Sequence, residues 1–150
     1  MKVAFGCDHG GFVLKKEVME YLEKNGHEVI DFGTNDEKSV DYPTYALDVA
    51  ECVKEGKADL GILICGTGIG ISISANKVPG IRCAAVSDTF TARATRQHNN
   101  SNILAMGGRT LGPGLAVDIV DIFLNTPFSG DERHQRRIDG ITAIEKKYSK

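Results

Sequence analysis

The apolar run LGILIC, from Leu60 to Cys65, restricts the possible folds of this chain more than any other segment. It ends directly in the glycine-rich turn GTGIG. A short apolar run bounded by glycine is typical of a strand buried on both faces of a parallel sheet. The segment after the turn, ISISANK, favours a helix. A strand, a glycine-rich turn and a helix in this order predict a central strand whose loop can contact a ligand.

Strands and helices are predicted to alternate along the rest of the chain. Further strands are expected over residues 2–5, 27–33, 81–87 and 102–107. Further helices are expected over residues 12–25, 41–56, 88–100 and 115–124, and from about residue 131 onward, and Asp88 is a candidate N-cap. No repeat, linker or low-complexity segment interrupts this order. The pattern predicts one α/β domain, 1–150, with a doubly wound, five-stranded parallel sheet and helices on both faces.

The length, charge and cysteine content of the chain restrict the kinds of molecule that it can bind. The chain has 150 residues, which is enough for one full core, and a net charge of −2 with a pI near 6.1. This balance argues against a nucleic-acid or membrane partner. The four cysteines form no CxxC pair, and the chain shows neither a signal-peptide pattern nor an apolar run long enough to span a membrane. We therefore expect reduced thiols and a cytoplasmic protein.

In doubly wound folds, ligands bind beyond the carboxyl ends of the strands. Chemistry is therefore expected just after Phe5, Cys65, Ser87 and Gly107. The first of these positions offers Asp8 and His9, a carboxylate and an imidazole in a glycine-containing turn. The alternative for this pair is an Asx turn with a solvated histidine.

The turn after Cys65 is suited to negative charge. Gly66, Gly68 and Gly70 alternate with Thr67 and Ile69, so backbone N–H groups can face a phosphate or an oxyanion and can stabilise a thiolate at Cys65. A purely structural role fits Cys7, Cys52 and Cys83 better than Cys65, which lies where the strand leaves the core. The dinucleotide fingerprint and the cysteine-phosphatase motif both fail at Ile71, and no glycine opens a P-loop.

The remaining candidate site residues are mostly cationic. His98 and Asn99 lie near a helix end, Arg109 follows the fifth strand, and Arg133 and Arg137 share one helical face. Each has an ordinary alternative: a favourable cation at a helix terminus, or a solvated basic surface. Paired arginines also bind phosphate, however, and the cysteines and histidines lack metal-ligand spacing. The inventory suits proton transfer beside a carbonyl of a small phosphorylated compound, with neither metal nor cofactor.

Five motifs together resemble a known family. They are GCDHGG, DYP, ICGTGIGISISANK, RQHNNSNILAMGGR and ERHQRRIDGITAIE, in register from Val3 to about Lys147. In this the chain resembles ribose-5-phosphate isomerase type B. The resemblance implies a Rossmann-like sheet and a homodimer, sometimes paired into a tetramer, with active sites shared between subunits. It also implies that a C-terminal helix at about residues 131–148 contributes to the dimer interface.

The resemblance also implies roles for individual residues. Cys65 matches the base that moves a proton between C2 and C1 of the sugar, and His98 matches the residue that opens the ring, with Asn99 alongside. Asp8 would hold sugar hydroxyls, and the amides from Gly66 to Gly70, assisted by Thr67, would stabilise an enediolate. The phosphate would be bound by His9, Arg109, Arg133 and Arg137. Some relatives use a glutamate base at the position of Ile71, which leaves Cys65 as the base here.

The implied activity is interconversion of D-ribose 5-phosphate and D-ribulose 5-phosphate, a step of the pentose phosphate pathway. Isomerisation of a hexose 6-phosphate, such as allose or galactose 6-phosphate, stays open, because pocket depth near Tyr42 and Ser87 would decide between them. A non-catalytic phosphosugar-binding domain is a further alternative, but it would not need Cys65 and His98 together. A nucleotide-binding module is disfavoured by the glycine spacing.

Overall fold

A computed structural model describes residues 1–150 as one α/β domain. The five strands are β1 (Lys2–Cys7), β2 (Glu28–Asp31), β3 (Leu60–Cys65), β4 (Cys83–Ala85) and β5 (Ile103–Gly107). The six helices are α1 (Phe12–Lys24), α2 (Tyr42–Lys54), α3 (Ile69–Ala75), α4 (Thr89–Asn99), α5 (Pro113–Asn125) and α6 (Glu132–Tyr148). No helix has both the length and the apolar composition to cross a bilayer.

All strands are parallel, in the order β2-β1-β3-β5-β4. The predicted fold class is therefore confirmed, and β3 is the central strand, with all six of its residues buried. Cys65 pairs with Gly107 of β5, and Ile64 pairs with Cys7 of β1, so the ends of these three strands meet at one edge. This register brings the three following loops together.

Helices cover both faces of the sheet. On one face, α1, α4 and α5 bury an apolar cluster around Phe5, Ile62 and Phe123. On the other face, α2 and α3 bury a second cluster around Val49, Leu63 and Ile71. The last helix, α6, lies against α4 outside these two layers, and only His134 and Ile138 of it are buried.

The structure shifts several predicted boundaries. The first strand runs on to Cys7, because Gly6 and Cys7 still pair with β3. The strand predicted over residues 81–87 is only three residues long, since β4 is an edge strand that pairs on one side only. The fifth helix begins two residues earlier than predicted, at Pro113, where a proline suits the first turn. Asp88 caps α4 as predicted, accepting the Thr91 N–H at 2.7 Å.

Candidate active site

A pocket of about 440 Å³ lies at the carboxyl edge of the sheet. It is formed by the loops after β1, β3 and β5 together with the start of α2. Its lining consists of Asp8, His9, Gly10, Tyr42, Cys65, Gly66, Thr67, Ile69, Gly70 and Arg109. All of these except Tyr42, Ile69 and Gly70, which begin helices, lie at or just after a strand end, as the parallel topology predicts.

Cys65 forms the floor of the pocket. It is only 4% exposed, and its Sγ accepts a hydrogen bond from the Gly68 N–H at 3.2 Å. Gly68 has φ of +79°, and a Cβ there would lie 2.8 Å from the backbone carbon of Met106. Glycine is therefore required at this position, because the left-handed turn aims the N–H at the sulfur and packs directly on β5.

The other three thiols lie outside this pocket. Burial raises the pKa of Cys7 to about 12 and that of Cys83 to about 12. Burial also raises the pKa of Cys52. These groups stay protonated at neutral pH, as expected for structural cysteines. Cys65 is the only thiol that faces the pocket.

Asp8 and His9 both line the pocket, and each also bonds a backbone N–H of its own chain. The Asp8 Oδ1 accepts the Gly11 N–H at 3.0 Å, which is the Asx turn considered from the sequence, yet Asp8 also lines the pocket. The His9 Nδ1 accepts the Val40 N–H at 3.2 Å. The neutral ring consequently carries its proton on Nε2, which is free to donate to a ligand.

Thr67 and Arg109 lie at the rim. The Thr67 Oγ1 accepts the Ile69 N–H at 3.2 Å, so its hydroxyl proton can be donated to a ligand. The Arg109 guanidinium lies over Gly66, where a Cβ would be 3.1 Å from Nη1. Two backbone bonds hold these loops together: Gly108 N–H to Cys65 O at 2.7 Å, and Arg109 N–H to Gly66 O at 3.0 Å.

Tyr42 lines the pocket, and the sequence named it only as a residue near which pocket depth would decide between substrates. Its ring lies against Gly70, where a Cβ would be 2.5 Å from Cζ. Its position at the start of α2, rather than at a strand end, explains why the topology did not select it, and the DYP motif was the available signal. Ser87, by contrast, is exposed and does not line the pocket, because it follows the edge strand β4.

Four predicted site residues lie elsewhere in the chain: His98, Asn99, Arg133 and Arg137. The reason is the direction of α4, which begins after β4 at the carboxyl edge and returns to the amino edge before β5. Ile103, at the start of β5, pairs with Gly61, four residues before Cys65. At ~3.3 Å per strand residue, the two edges are roughly 13 Å apart. Cys65 and His98 therefore cannot meet within one chain.

The residues around His98 form a second cluster. The rings of His98 and His134 are stacked with centroids 4.4 Å apart, and the His134 Nδ1 bonds the Ser129 Oγ at 2.7 Å. Burial and the neighbouring His98 lower the pKa of His134. Arg133 and Arg137 are exposed on the same helix. The guanidinium groups make this cluster cationic and suited to anions, and Asn99 lines a separate cavity of about 610 Å³.

Comparison with known proteins identifies the fold family. Residues 3–141 match the family model described as Ribose/Galactose Isomerase. The chain belongs to this family. It is accordingly a sugar-phosphate isomerase of the type to which ribose-5-phosphate isomerase B belongs.

Similar proteins carry several substrate names. The chain is 57% identical to "Putative sugar phosphate isomerase YwlF" of Bacillus subtilis (strain 168), over 98% of this chain and 99% of that protein. It is 52% identical to ribose-5-phosphate isomerase B of Escherichia coli (strain K12), over 97% of both. It is also 46% identical to galactose-6-phosphate isomerase subunit LacB of Clostridium acetobutylicum, over 96% of this chain and 83% of that one.

A solved structure shows the same architecture. Clostridium thermocellum ribose-5-phosphate isomerase B superimposes with a TM-score of 0.97 at 56% identity, covering 99% of this chain and 100% of that one. Mycoplasma genitalium ribose-5-phosphate isomerase B, described with bound ribulose-5-phosphate, gives 0.91 at 44% identity, covering 97% and 96%.

Proposed function

We propose that this isomerase interconverts D-ribose 5-phosphate and D-ribulose 5-phosphate through a cis-enediolate. The observation that carries the proposal is the placement of Cys65. It is the only thiol in the pocket, it receives the Gly68 N–H, and it lies beside Asp8, His9 and Arg109. A thiol, a ring of donors and a guanidinium suit proton transfer in a phosphorylated sugar.

Each step uses a group on this chain. The Cys65 thiolate takes the proton from C2 of the open-chain aldose, and the electrons of that bond form the C1–C2 double bond while charge moves to the oxygen at C1. Backbone amides of Gly66 to Gly70 and the Thr67 hydroxyl donate to that oxygen, and Asp8 holds the sugar hydroxyls. The oxygen at C1 then takes the proton from the hydroxyl at C2, and Cys65 returns its proton to C1 while the C2–O bond becomes the carbonyl of the ketose. No metal or organic cofactor takes part in this proposal.

The proposed site is completed by a second copy of the chain. At 100° per residue, the exposed residues Arg133, Arg137, Ile141, Ile144 and Tyr148 lie on one face of α6. The buried residues His134 and Ile138 lie on the adjacent face, against the rest of the domain. An exposed face that is basic at one end and apolar at the other suits a partner that covers the apolar part.

In a homodimer, α6 would contribute to the interface and bring its arginines to the partner's pocket. His98 of the partner subunit would then accept and return the proton that opens the furanose ring, with Asn99 beside it. Arg133 and Arg137 would bind the phosphate together with His9 and Arg109 of the first chain. Pairing of two dimers into a tetramer is compatible with this arrangement, and the free thiols suit a cytoplasmic location.

A hexose 6-phosphate is the second candidate substrate. The likeness to a galactose-6-phosphate isomerase subunit favours it, and a six-carbon sugar must fit the same pocket beside Tyr42. Ribose 5-phosphate is preferred here because the Escherichia coli and Clostridium thermocellum relatives carry that name at higher identity.

The test compares turnover of ribose 5-phosphate with that of allose and galactose 6-phosphates, using wild type, Cys65→Ala and the control Cys83→Ser. Ribose 5-phosphate is expected to have the highest kcat/KM of the three substrates. Cys65→Ala should lower kcat/KM for ribose 5-phosphate at least ~10²-fold, and Cys83→Ser should keep it near the wild-type value. Faster turnover of a hexose phosphate would show that the hexose phosphate, and not ribose 5-phosphate, is the preferred substrate. A fully active Cys65→Ala would overturn the base, and binding without turnover would indicate a phosphosugar-binding domain. In heavy water, deuterium at the reacting carbon of the product would further support the enediolate.

A further inference from the structure

The segment between β2 and α2, residues 32–41, passes from the outer part of the sheet to the pocket. Its Val40 N–H reaches His9 in the pocket, and Tyr42, the first residue of α2 directly after the segment, lies against Gly70. Between Asn35 and Val40 its only internal bond to a side chain is Lys38 N–H to Asp36 Oδ1 at 2.9 Å. Its course must therefore be determined by its anchors at either end.

Lys15 of α1 is the anchor at the first end. Its Nζ donates to Thr34 O at 3.0 Å, to Asn35 Oδ1 at 3.0 Å and, more weakly, to Gly33 O at 3.4 Å. It also forms an ion pair with Asp31 Oδ2 at 2.8 Å, and its side chain is only 11% exposed. A buried ammonium with all its donors used is held in one position, and it holds the backbone around it.

The same anchor is reinforced from β1. The Thr34 N–H donates to Cys7 O at 3.0 Å, and the Gly33 N–H donates to Asp31 Oδ1 at 2.8 Å. Gly33 packs so closely on Cys7 that a Cβ would lie 2.9 Å from its Sγ. The start of the segment is thus fixed one residue before Asp8 on β1, and its end is fixed at His9.

We infer that Lys15 is a positioning residue for the isomerase reaction: it holds residues 33–35 so that the Val40 N–H fixes the His9 ring with Nε2–H directed to the substrate. The inference rests on the proposed function, in which His9 contacts the sugar phosphate. Lys15 itself does not line the pocket, so it acts through the segment and not on the substrate. Losing it should weaken substrate binding and leave the Cys65 chemistry intact.

The first test measures the tautomer of His9 directly. Protein labelled with ¹⁵N-histidine contains four histidines, and His9→Gln assigns the signal of interest. In wild type and in the control Lys16→Met, whose side chain is 80% exposed, the His9 Nδ1 is expected to give the signal of a hydrogen-bonded acceptor. In Lys15→Met this signal is expected to move towards the average of the two tautomers. An unchanged His9 signal in Lys15→Met would overturn the inference.

The second test is kinetic. Lys15→Met is expected to raise KM for ribose 5-phosphate about tenfold with kcat within about twofold, the loss expected when one charge-assisted contact is misplaced. The same substitution in a His9→Ala background should add almost nothing, because the effect passes through His9. If Lys15→Met raised KM equally with and without His9, or lowered kcat instead, a merely structural role would be shown and the inference would be wrong.

A second variant, milder than Lys15→Met, keeps the inference testable if Lys15→Met does not fold. Asp31→Asn keeps an oxygen for the Gly33 N–H but replaces the Oδ2 that pairs with Lys15 by an amide nitrogen, which cannot accept from the ammonium, so it should raise KM about threefold, again only when His9 is present. No effect of this variant on either KM or the His9 signal would count against the inference. If the wild-type protein turned over no ribose 5-phosphate, the proposed function would fail, whereas the His9 tautomer would still report on Lys15.

Discussion

The imidazole rings of His98 and His134 lie 4.4 Å apart at an angle of 33°, at the end of the domain opposite Cys65. His134 is buried and bonded to Ser129, so it fixes the surface on which His98 packs. Burial, His98 and the guanidinium groups of Arg133 and Arg137 lower the pKa of His134, while Asp131 opposes them. The stack therefore favours a neutral His134.

This lowered pKa predicts a pH dependence of stability. As pH falls through the unfolded value of ~6.5, the unfolded chain takes up a proton first, so the folded state loses stability down to the lower folded pKa. His27 contributes in the same direction, through burial and the N-terminal amine. Thermal melts at pH 7.5 and 5.5 should show a smaller drop in Tm for His134→Gln than for wild type, with an independent further reduction from His27→Gln. An equal drop in wild type and His134→Gln would contradict the assignment.

Cys65 is predicted to be the first thiol that reacts with iodoacetamide. It faces the pocket and receives an N–H, whereas burial raises the pKa of Cys7 and of Cys83 to about 12. Mass spectrometry of briefly treated protein should find the label on Cys65, with activity lost in proportion and with protection by ribose 5-phosphate. Cys83→Ser should behave like wild type. Labelling of Cys83 before Cys65 would show that the pocket does not activate its thiol.

Gly68 should tolerate a side chain less than other glycines with positive φ. Alanine at this position should destabilise the fold in two ways. The left-handed backbone costs ~1–2 kcal/mol of folding free energy, and the clash with the backbone of Met106 costs ~1–3 kcal/mol. Gly80, with φ of +89° and open space around it, incurs only the first cost. Urea denaturation should therefore show Gly68→Ala to be less stable than Gly80→Ala. Equal stabilities would mean that the turn after β3 is looser than described.

The two faces of α6 give a matched pair of arginine variants. Arg137 lies about 40° from Arg133 around the helix axis, whereas Arg136 lies about 100° from Arg137. Arg137→Ala is expected to raise KM for ribose 5-phosphate at least about tenfold, as for loss of a charged phosphate contact. Arg136→Ala should have a KM close to wild type. Similar effects of both substitutions would indicate a general electrostatic attraction in place of a bound phosphate.

Much of the fold followed from local sequence pattern, and the exceptions have physical causes. The run LGILIC is apolar throughout, so its limits as β3 were predicted to the residue. The fourth strand was overestimated because Ile81 and Val86 are buried although they lie outside β4, so the apolar pattern extends beyond the paired residues.

The pocket also has parts that could be predicted from the sequence and parts that could not. The loops after β1, β3 and β5 were predicted because parallel topology alone brings them together. Tyr42 was named from the sequence only as a residue near the sugar pocket, because its contact with Gly70 depends on how α2 packs on α3, which no local pattern reports. The separation of His98 from Cys65 follows from the direction of α4, whereas the resemblance pointed to subunits that share their sites.

The most direct measurement purifies a heterodimer of one Cys65→Ala chain and one His98→Asn chain, each with a different affinity tag. If Cys65 of one chain works with His98 of the other, the heterodimer contains one intact site and one doubly altered site. It should isomerise ribose 5-phosphate at roughly half the wild-type rate, while both parent homodimers are nearly inactive. A heterodimer as inactive as its parents would contradict a site shared between two chains, and fully active parents would contradict the assigned roles of Cys65 and His98.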